Sequence, residues 1–226
     1  MKIQLIAAAL TLAAQTISAE SFVRPELDHL APVNLNEHPS YRKMLTSKLC
    51  VTPFNFGRAI LLPPFDPESS TSIYSVSNNG KVSYYVTEIS ATANIWQRTD
   101  AVRFPERAKE VKVHRLDAKL PAETAELIKQ LFARMLEGRH GPKRLPSQDR
   151  TIILDATHAE FSLERPNSTS LYGDLDFSLS FPGRKTKQLV DIWNRLYDYC
   201  KAPADERRTI ASDIDQRAKR LLGDLK

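Results

Sequence analysis

The chain has 226 residues, 42% of them apolar, with 32 Lys+Arg against 27 Asp+Glu and a formal net charge of +5. That supplies one medium domain with an ordinary core, and the modest, dispersed charge excess argues against a disordered tail or a dedicated polyanion binder. Only seven glycines stand against fourteen prolines, and neither GxGxxG nor GxxxxGK[ST] occurs, so the phosphate-cradling loops of the two commonest nucleotide-enzyme classes are missing.

At the N-terminus, Lys2 precedes an apolar run from Ile3 to Ala14 broken only by Gln4 and Thr11, and the small-residue stretch Ile17-Ser18-Ala19 follows. A basic start, an apolar middle and a small-residue end form the pattern of a secretory signal peptide, here residues 1–19, cut after Ala19. The run is shorter than the roughly 20 residues of a membrane span and no later segment approaches that length, so no membrane span is expected. Export places Cys50 and Cys200 in an oxidising compartment. They are expected to form a disulfide over a loop of about 150 residues, stabilising by up to about 5 kcal/mol through chain entropy.

Residues 20–48 mix Pro25, Pro32 and Pro39 with Asn, His and charge and show no sustained period, which predicts an irregular lead-in. Residues 49–226 then read as a single α+β domain with a C-terminal helix. Gly57 to Leu62 is an apolar run stopped by Pro63-Pro64, a short buried or edge strand. Ser72 to Ser77 alternates, Asn79-Gly80 supplies the positive-φ pair of a tight turn, and Lys81 to Val86 continues in strand formers, so a hairpin is expected. Glu88 to Trp96 prolongs its second strand or forms another. Glu110 to Leu116 alternates as a half-buried strand.

From Pro121 to Gly138, Leu127, Ile128, Leu131, Phe132 and Met135 recur at three-and-four spacing, the mark of an amphipathic helix. A polar, basic loop runs from Gly138 to Arg150. Thr151 to Leu154 and His158 to Leu163 read as a second hairpin around Asp155-Ala156-Thr157, and Asp174 to Phe181 alternates as a strand. A helix from about Lys185 to Lys201 is expected to bury Leu189, Val190, Trp193, Leu196 and Cys200. A last helix runs from about Pro203 to Leu222. Both halves thus follow an order of hairpin, strand and helix, which fits a βββα unit used twice. The predicted fold class is α+β, an antiparallel sheet with helices packed on one face.

Few residues suggest chemistry. His158 and Glu160 share a strand face and Asp155 sits at the adjoining turn, a trio able to relay a proton or contribute to a metal site. A solvated strand side looks the same. Asp174 and Asp176 likewise share a face, where close carboxylates raise one another's pKa. His114 lies on a strand and His29, His38 and His140 lie in loops. HExxH, GxSxG and CxxC do not occur. The basic residues between Arg98 and Lys119 are interrupted by Asp100, Glu106, Glu110 and Asp117, which reads as a mixed solvated face with long-range attraction to anionic envelope surfaces rather than a nucleic-acid site. Asn167-Ser168-Thr169 matches a glycosylation acceptor.

The Leu120-to-Ala125 helix start, Leu154-Asp155-Ala156-Thr157 leading to Glu160-Phe161-Ser162-Leu163, and the Leu189-to-Cys200 helix together resemble a loose class of uncharacterised secreted bacterial α+β proteins. The likeness covers residues 110 to 200, and Ala156 departs from the Asp-Gly-Thr turn common in that class. The resemblance implies a bacterial envelope protein and no particular activity. The expectation is an exported, non-enzymatic binding protein, periplasmic or secreted, without a cofactor, whose partner is a protein or an envelope component. The alternative is a small hydrolase using Asp155, His158 and Glu160.

Overall fold

The computed structural model describes residues 26–33, 38–50, 55–100, 102–139, 157–164, 170–176 and 181–225. In chain order, a two-residue strand β1 (Glu26–Leu27) leads to helix α1 (Pro39–Leu49). Strands β2 (Asn55–Leu62), β3 (Ser69–Asn78) and β4 (Lys81–Ala91) follow, then a one-turn helix α2 (Ile95–Arg98) and a 3-10 turn at Pro105–Glu110. Next come β5 (Val113–Leu120), α3 (Ala122–Glu137), β6 (His158–Leu163), β7 (Leu171–Asp176), β8 (Phe181–Pro182), α4 (Arg184–Lys201) and α5 (Arg207–Asp224).

The fold is α+β. Six strands form an antiparallel sheet in the order β5-β4-β3-β2-β6-β7, and β1 pairs in parallel with β8 in a separate two-stranded piece. The Asn79-Gly80 turn sets the register of the longest hairpin: φ is 50° at Asn79 and 76° at Gly80, the left-handed pair that matches strand twist. The Gly57–Leu62 run lies inside β2, a central strand between β3 and β6. Its apolar character follows from cover on both faces.

Residue alternation along the strands divides two cores. Ala59, Ile73, Val86, Ala118 and Phe161 face α3, α4 and α5, whereas Ile60, Ile89 and Ala91 face α1 and α2. The three long helices pack on one face, as expected. The opposite face carries α1, which arises from residues expected to be irregular: Pro39 takes the first helical turn, and Leu45 and Leu49 bury one stripe. Short-range periodicity misses it because the apolar stripe is narrow and four of its eleven residues are charged or proline.

The expected Cys50–Cys200 disulfide is not formed; both thiols are free. Cys50 packs with the α1 cluster and Cys200 lies in the main core under α4 and α5. The sheet stands between them, while a disulfide needs Cα atoms within about 7 Å. Burial, then the charges of Glu88 and Asp117, pushes the Cys200 thiol up to about 12.

The repeat of three strands and a helix holds only in outline. β3, β4, β5 and α3 follow the unit, but in the second half β6 pairs with β7, and β8 leaves the main sheet for β1. The strand expected from Asp174 to Phe181 is displaced, with β7 ending at Asp176. Thr151 to Leu154 and Asp155 lie outside the described residues. The lead-in is tied down at both its strand and its loop: Ala31 bridges Asp174, Leu30 is fully buried in the main core, and the Asp28 carboxylate accepts the Lys185 amide at 2.7 Å at the start of α4. Among the described residues no helix is long and apolar enough to cross a membrane.

Candidate functional site

Of the trio singled out in the sequence, His158 and Glu160 do share a face of β6, because Ala159 and Phe161 between and beside them point into the main core. Glu160 is occupied: Arg42 of α1 donates from Nη2 to Oε1 at 2.6 Å and from Nη1 to Oε2 at 2.7 Å. His158 Nδ1 lies 3.7 Å from Asp174 Oδ2 on β7, the strand whose Asp174 is in register with Glu160. The result is a line of polar groups on one face of β6 and β7, in which the Arg42–Glu160 pair fastens α1 to β6. Among the described residues, no group of three or more His, Cys, Asp or Glu side chains could hold a metal ion.

A second carboxylate, not foreseen from the sequence, performs the same fastening from the residue that precedes β3. Glu68 is fully buried and accepts Tyr41 Oη at 2.6 Å, the Ile95 amide at 2.6 Å and the Trp96 amide at 3.0 Å. It thereby joins α1 to the start of α2 and satisfies amides that a helix start leaves open. The α1 face of the sheet is thus closed by polar ties.

The helical face holds an opening. Along α4, Val190, Trp193, Asn194 and Tyr197 fall at offsets of 0, 3, 4 and 7, one stripe of a helix, and they overhang the ends of β2 and β3. Leu61 and Ser69 are paired in register, as are Ala59 and Thr71, so Leu61, Ser69 and Thr71 project to the same side. With Thr157 at the start of β6 they bound a cavity of about 500 Å³. That size is within the range of small-molecule sites.

Its chemistry is mixed but uncharged. Leu61, Val190, Trp193 and Tyr197 give apolar surface, while Ser69, Thr71, Thr157 and Asn194 give hydroxyl and amide groups. Behind the serine and threonine, Thr71 is in register with Glu88 and Ser69 with Ser90; Glu88 is buried and accepts the Ser90 hydroxyl. Trp193 is 6% exposed and packs edge-on against Phe161 at 5.8 Å, yet its indole Nε1 has no hydrogen-bond partner. A buried donor left unpaired costs about 1–3 kcal/mol.

Periodicity shows Val190 and Trp193 as core residues of α4 but not the gap beside them. In the strand partner, the polar run Glu68-Ser69-Ser70-Thr71-Ser72 has four of its five residues buried. Compared with protein-family models, with curated proteins and with solved structures, the chain finds no match.

Proposed function

We propose that the protein is exported and acts as a binding protein without catalysis, holding an uncharged, largely apolar group of an envelope component or partner protein in the cavity between α4 and the sheet. The observation that carries this reading is the wall of the cavity, where Leu61, Val190, Trp193 and Tyr197 stand beside neutral hydroxyls and one amide with no charged side chain among them. A charged ligand would lose its hydration there with no opposite charge on the wall to compensate. A neutral group with apolar bulk for Leu61, Val190, Trp193 and Tyr197 meets the same surface favourably.

Two further points support binding over hydrolysis by Asp155, His158 and Glu160. Glu160 spends both carboxylate oxygens on Arg42, so a general-base role would first require breaking a part-buried, bidentate pair. The cavity also lies on the other side of the sheet from that face. Export is supported by the signal-like segment from Lys2 to Ala19 and by the resemblance to secreted bacterial proteins.

The test expresses the chain with its N-terminal segment and a photo-crosslinking residue at Asn194, an exposed position on the cavity rim, or at exposed Gln130 on α3 as control. The expected result is an intact mass starting at Glu20 in the exported fraction, with a single envelope-derived adduct from position 194 and none from 130. An uncleaved chain retained in the cytoplasm contradicts export. Identical adducts from both positions contradict the cavity.

A further inference from the structure

A different cavity, of about 480 Å³, opens where β5 ends, α3 begins and α5 turns back on α4. Its wall is charged, unlike that of the α4 cavity. Arg207 and Arg208 contribute cations and Glu123 and Asp215 contribute carboxylates, while Lys119 lies between the inward-facing Ala118 and Leu120 and meets α4 through its carbonyl, which accepts the Tyr199 hydroxyl at 2.7 Å. Glu123 is met by Lys219 Nζ at 3.4 Å, which leaves Asp215 as the carboxylate without a cation.

Among the described residues of this helix, two carboxylate oxygens are buried without a hydrogen-bond partner, Asp224 Oδ2 and Asp215 Oδ1, and only Asp215 also lacks a cation within 4 Å. Asp213, two residues earlier, accepts Arg195 Nε at 2.8 Å and Arg217 Nε at 2.9 Å, and Asp224 lies 3.2 Å from Arg184. Asp215 Oδ1 is buried with no hydrogen-bond partner, although Arg207 and Arg208 line the same cavity. Among the described residues neither Lys119 nor Arg208 joins an ion pair. Arg207 is steered by its Nε, which donates to the Ala202 carbonyl at 3.0 Å, and by the Tyr199 ring 5.8 Å away, so it too has no carboxylate.

Two further groups are unserved on the same wall. Thr124 is fully buried, and its Oγ1 has no partner. It belongs to the first turn of α3, a sixteen-residue helix whose N-cap Pro121 provides no side-chain cap. The first amides of such a helix have no intrahelical partner and carry partial positive charge, which favours an anion. The cavity therefore presents unpaired positive groups with an amide-rich helix start, and an unpaired negative oxygen, without letting them neutralise one another.

We infer that this cavity binds a small zwitterion of the free amino-acid or dipeptide class, its carboxylate among Arg207, Arg208 and Thr124 Oγ1 at the start of α3, and its ammonium at Asp215. A simple anion leaves Asp215 unserved, and a simple amine leaves the two arginines and the threonine unserved. Only a ligand carrying both charges satisfies both ends.

The test titrates the full mature chain at neutral pH, by amide NMR, with L-alanine and L-alanyl-L-alanine and with their N-acetyl and C-terminal amide derivatives. The free zwitterions are expected to shift the Thr124 and Ser212 amides saturably at millimolar concentration or below, with each singly charged derivative at least tenfold weaker, a loss of about 1.4 kcal/mol. Asp215→Asn is expected to erase the preference for the free amino group over its N-acetyl form. Arg208→Gln, at an exposed position where folding is not at risk, weakens both forms alike. Equal binding of zwitterion and derivatives, or no saturable shift with any of them, overturns the inference and leaves Thr124 and Asp215 to ordered water.

Discussion

Arg42 and Glu160 lie 118 positions apart in sequence and meet through two parallel hydrogen bonds, at 2.6 and 2.7 Å, across the gap between α1 and the sheet. The pair is part-buried, with Arg42 23% and Glu160 14% exposed, so water screens it only partly. It joins the first helix to the strand that the sequence marks for chemistry. Its role in the fold is to anchor.

Removing one partner should therefore cost stability. Arg42→Ala is expected to destabilise the protein by about 1.5–3 kcal/mol, the range for hydrogen bonds to charged groups, and Glu160→Gln by less. A double-mutant cycle by urea denaturation should show strong coupling between them. Additive effects would mean that the pair is not formed in solution.

Glu68 should be the costlier anchor. Glu68→Ala leaves the Ile95 and Trp96 amides and the Tyr41 hydroxyl unpaired in the interior, and a loss of about 3 kcal/mol or more is expected. Tyr41→Phe removes one of those bonds and should cost about 1 kcal/mol. Hydrogen exchange at the Ile95 and Trp96 amides should accelerate in Glu68→Ala more than at the centre of β4.

A buried thiol and a buried phenol carry a pH signature. Burial holds Cys200 up at about 12, and burial and then Glu68 push the Tyr41 phenol above its ordinary value. Both groups keep their protons in the folded protein at pH values where the unfolded chain gives them up. Stability contributed by these groups is thus full below about pH 9 and falls as pH rises from there through the folded-state values. Cys200→Ala should flatten part of that alkaline decline. Alkylation of the unfolded, unreduced protein should add two groups, while native Cys200 reacts slowly at pH 8; a chain that takes up neither group before reduction contains the disulfide after all.

Gly173 sits where β7 passes beneath α3. A Cβ there would lie 2.8 Å from Leu136 Cδ2 and 2.9 Å from Leu30 Cβ, closer than packed carbons approach. Gly173→Ala is expected to cost about 1–3 kcal/mol through overpacking, read as a lowered denaturation midpoint. An unchanged midpoint would show that the lead-in carrying Leu30 is not seated on the core.

How much of this is legible in the sequence depends on the range of the interaction. The β3–β4 hairpin is visible because Asn79-Gly80 fixes its own φ angles, and α3 and α4 because their stripes at Leu127 to Met135 and Leu189 to Leu196 repeat at helical spacing. The α1 helix is not, since what stabilises it is Arg42 reaching Glu160 and Tyr41 reaching Glu68, partners far away in the chain. The disulfide expectation follows from compartment and count, and neither shows that a sheet separates Cys50 from Cys200. Cavities are hidden for the same reason: Trp193 has the spacing of a core residue, and only the placement of Ser69 and Thr71 opposite it leaves space. The pairing of His158 and Glu160 on one face is readable from alternation, whereas Arg42 as the partner of Glu160 is not.

The central claim is that the cavity beside Trp193 takes a neutral, apolar group. Replacing the other tryptophan, Trp96→Phe, leaves Trp193 as the sole indole reporter. Titration of that variant with N-phenyl-1-naphthylamine, a neutral aromatic probe, should quench Trp193 emission saturably with energy transfer to the probe, and Thr71→Phe, which fills the cavity floor, should abolish the effect while the far-ultraviolet circular dichroism is retained. No saturable quenching, or quenching that persists in Thr71→Phe, would contradict the assignment of the cavity as the binding site.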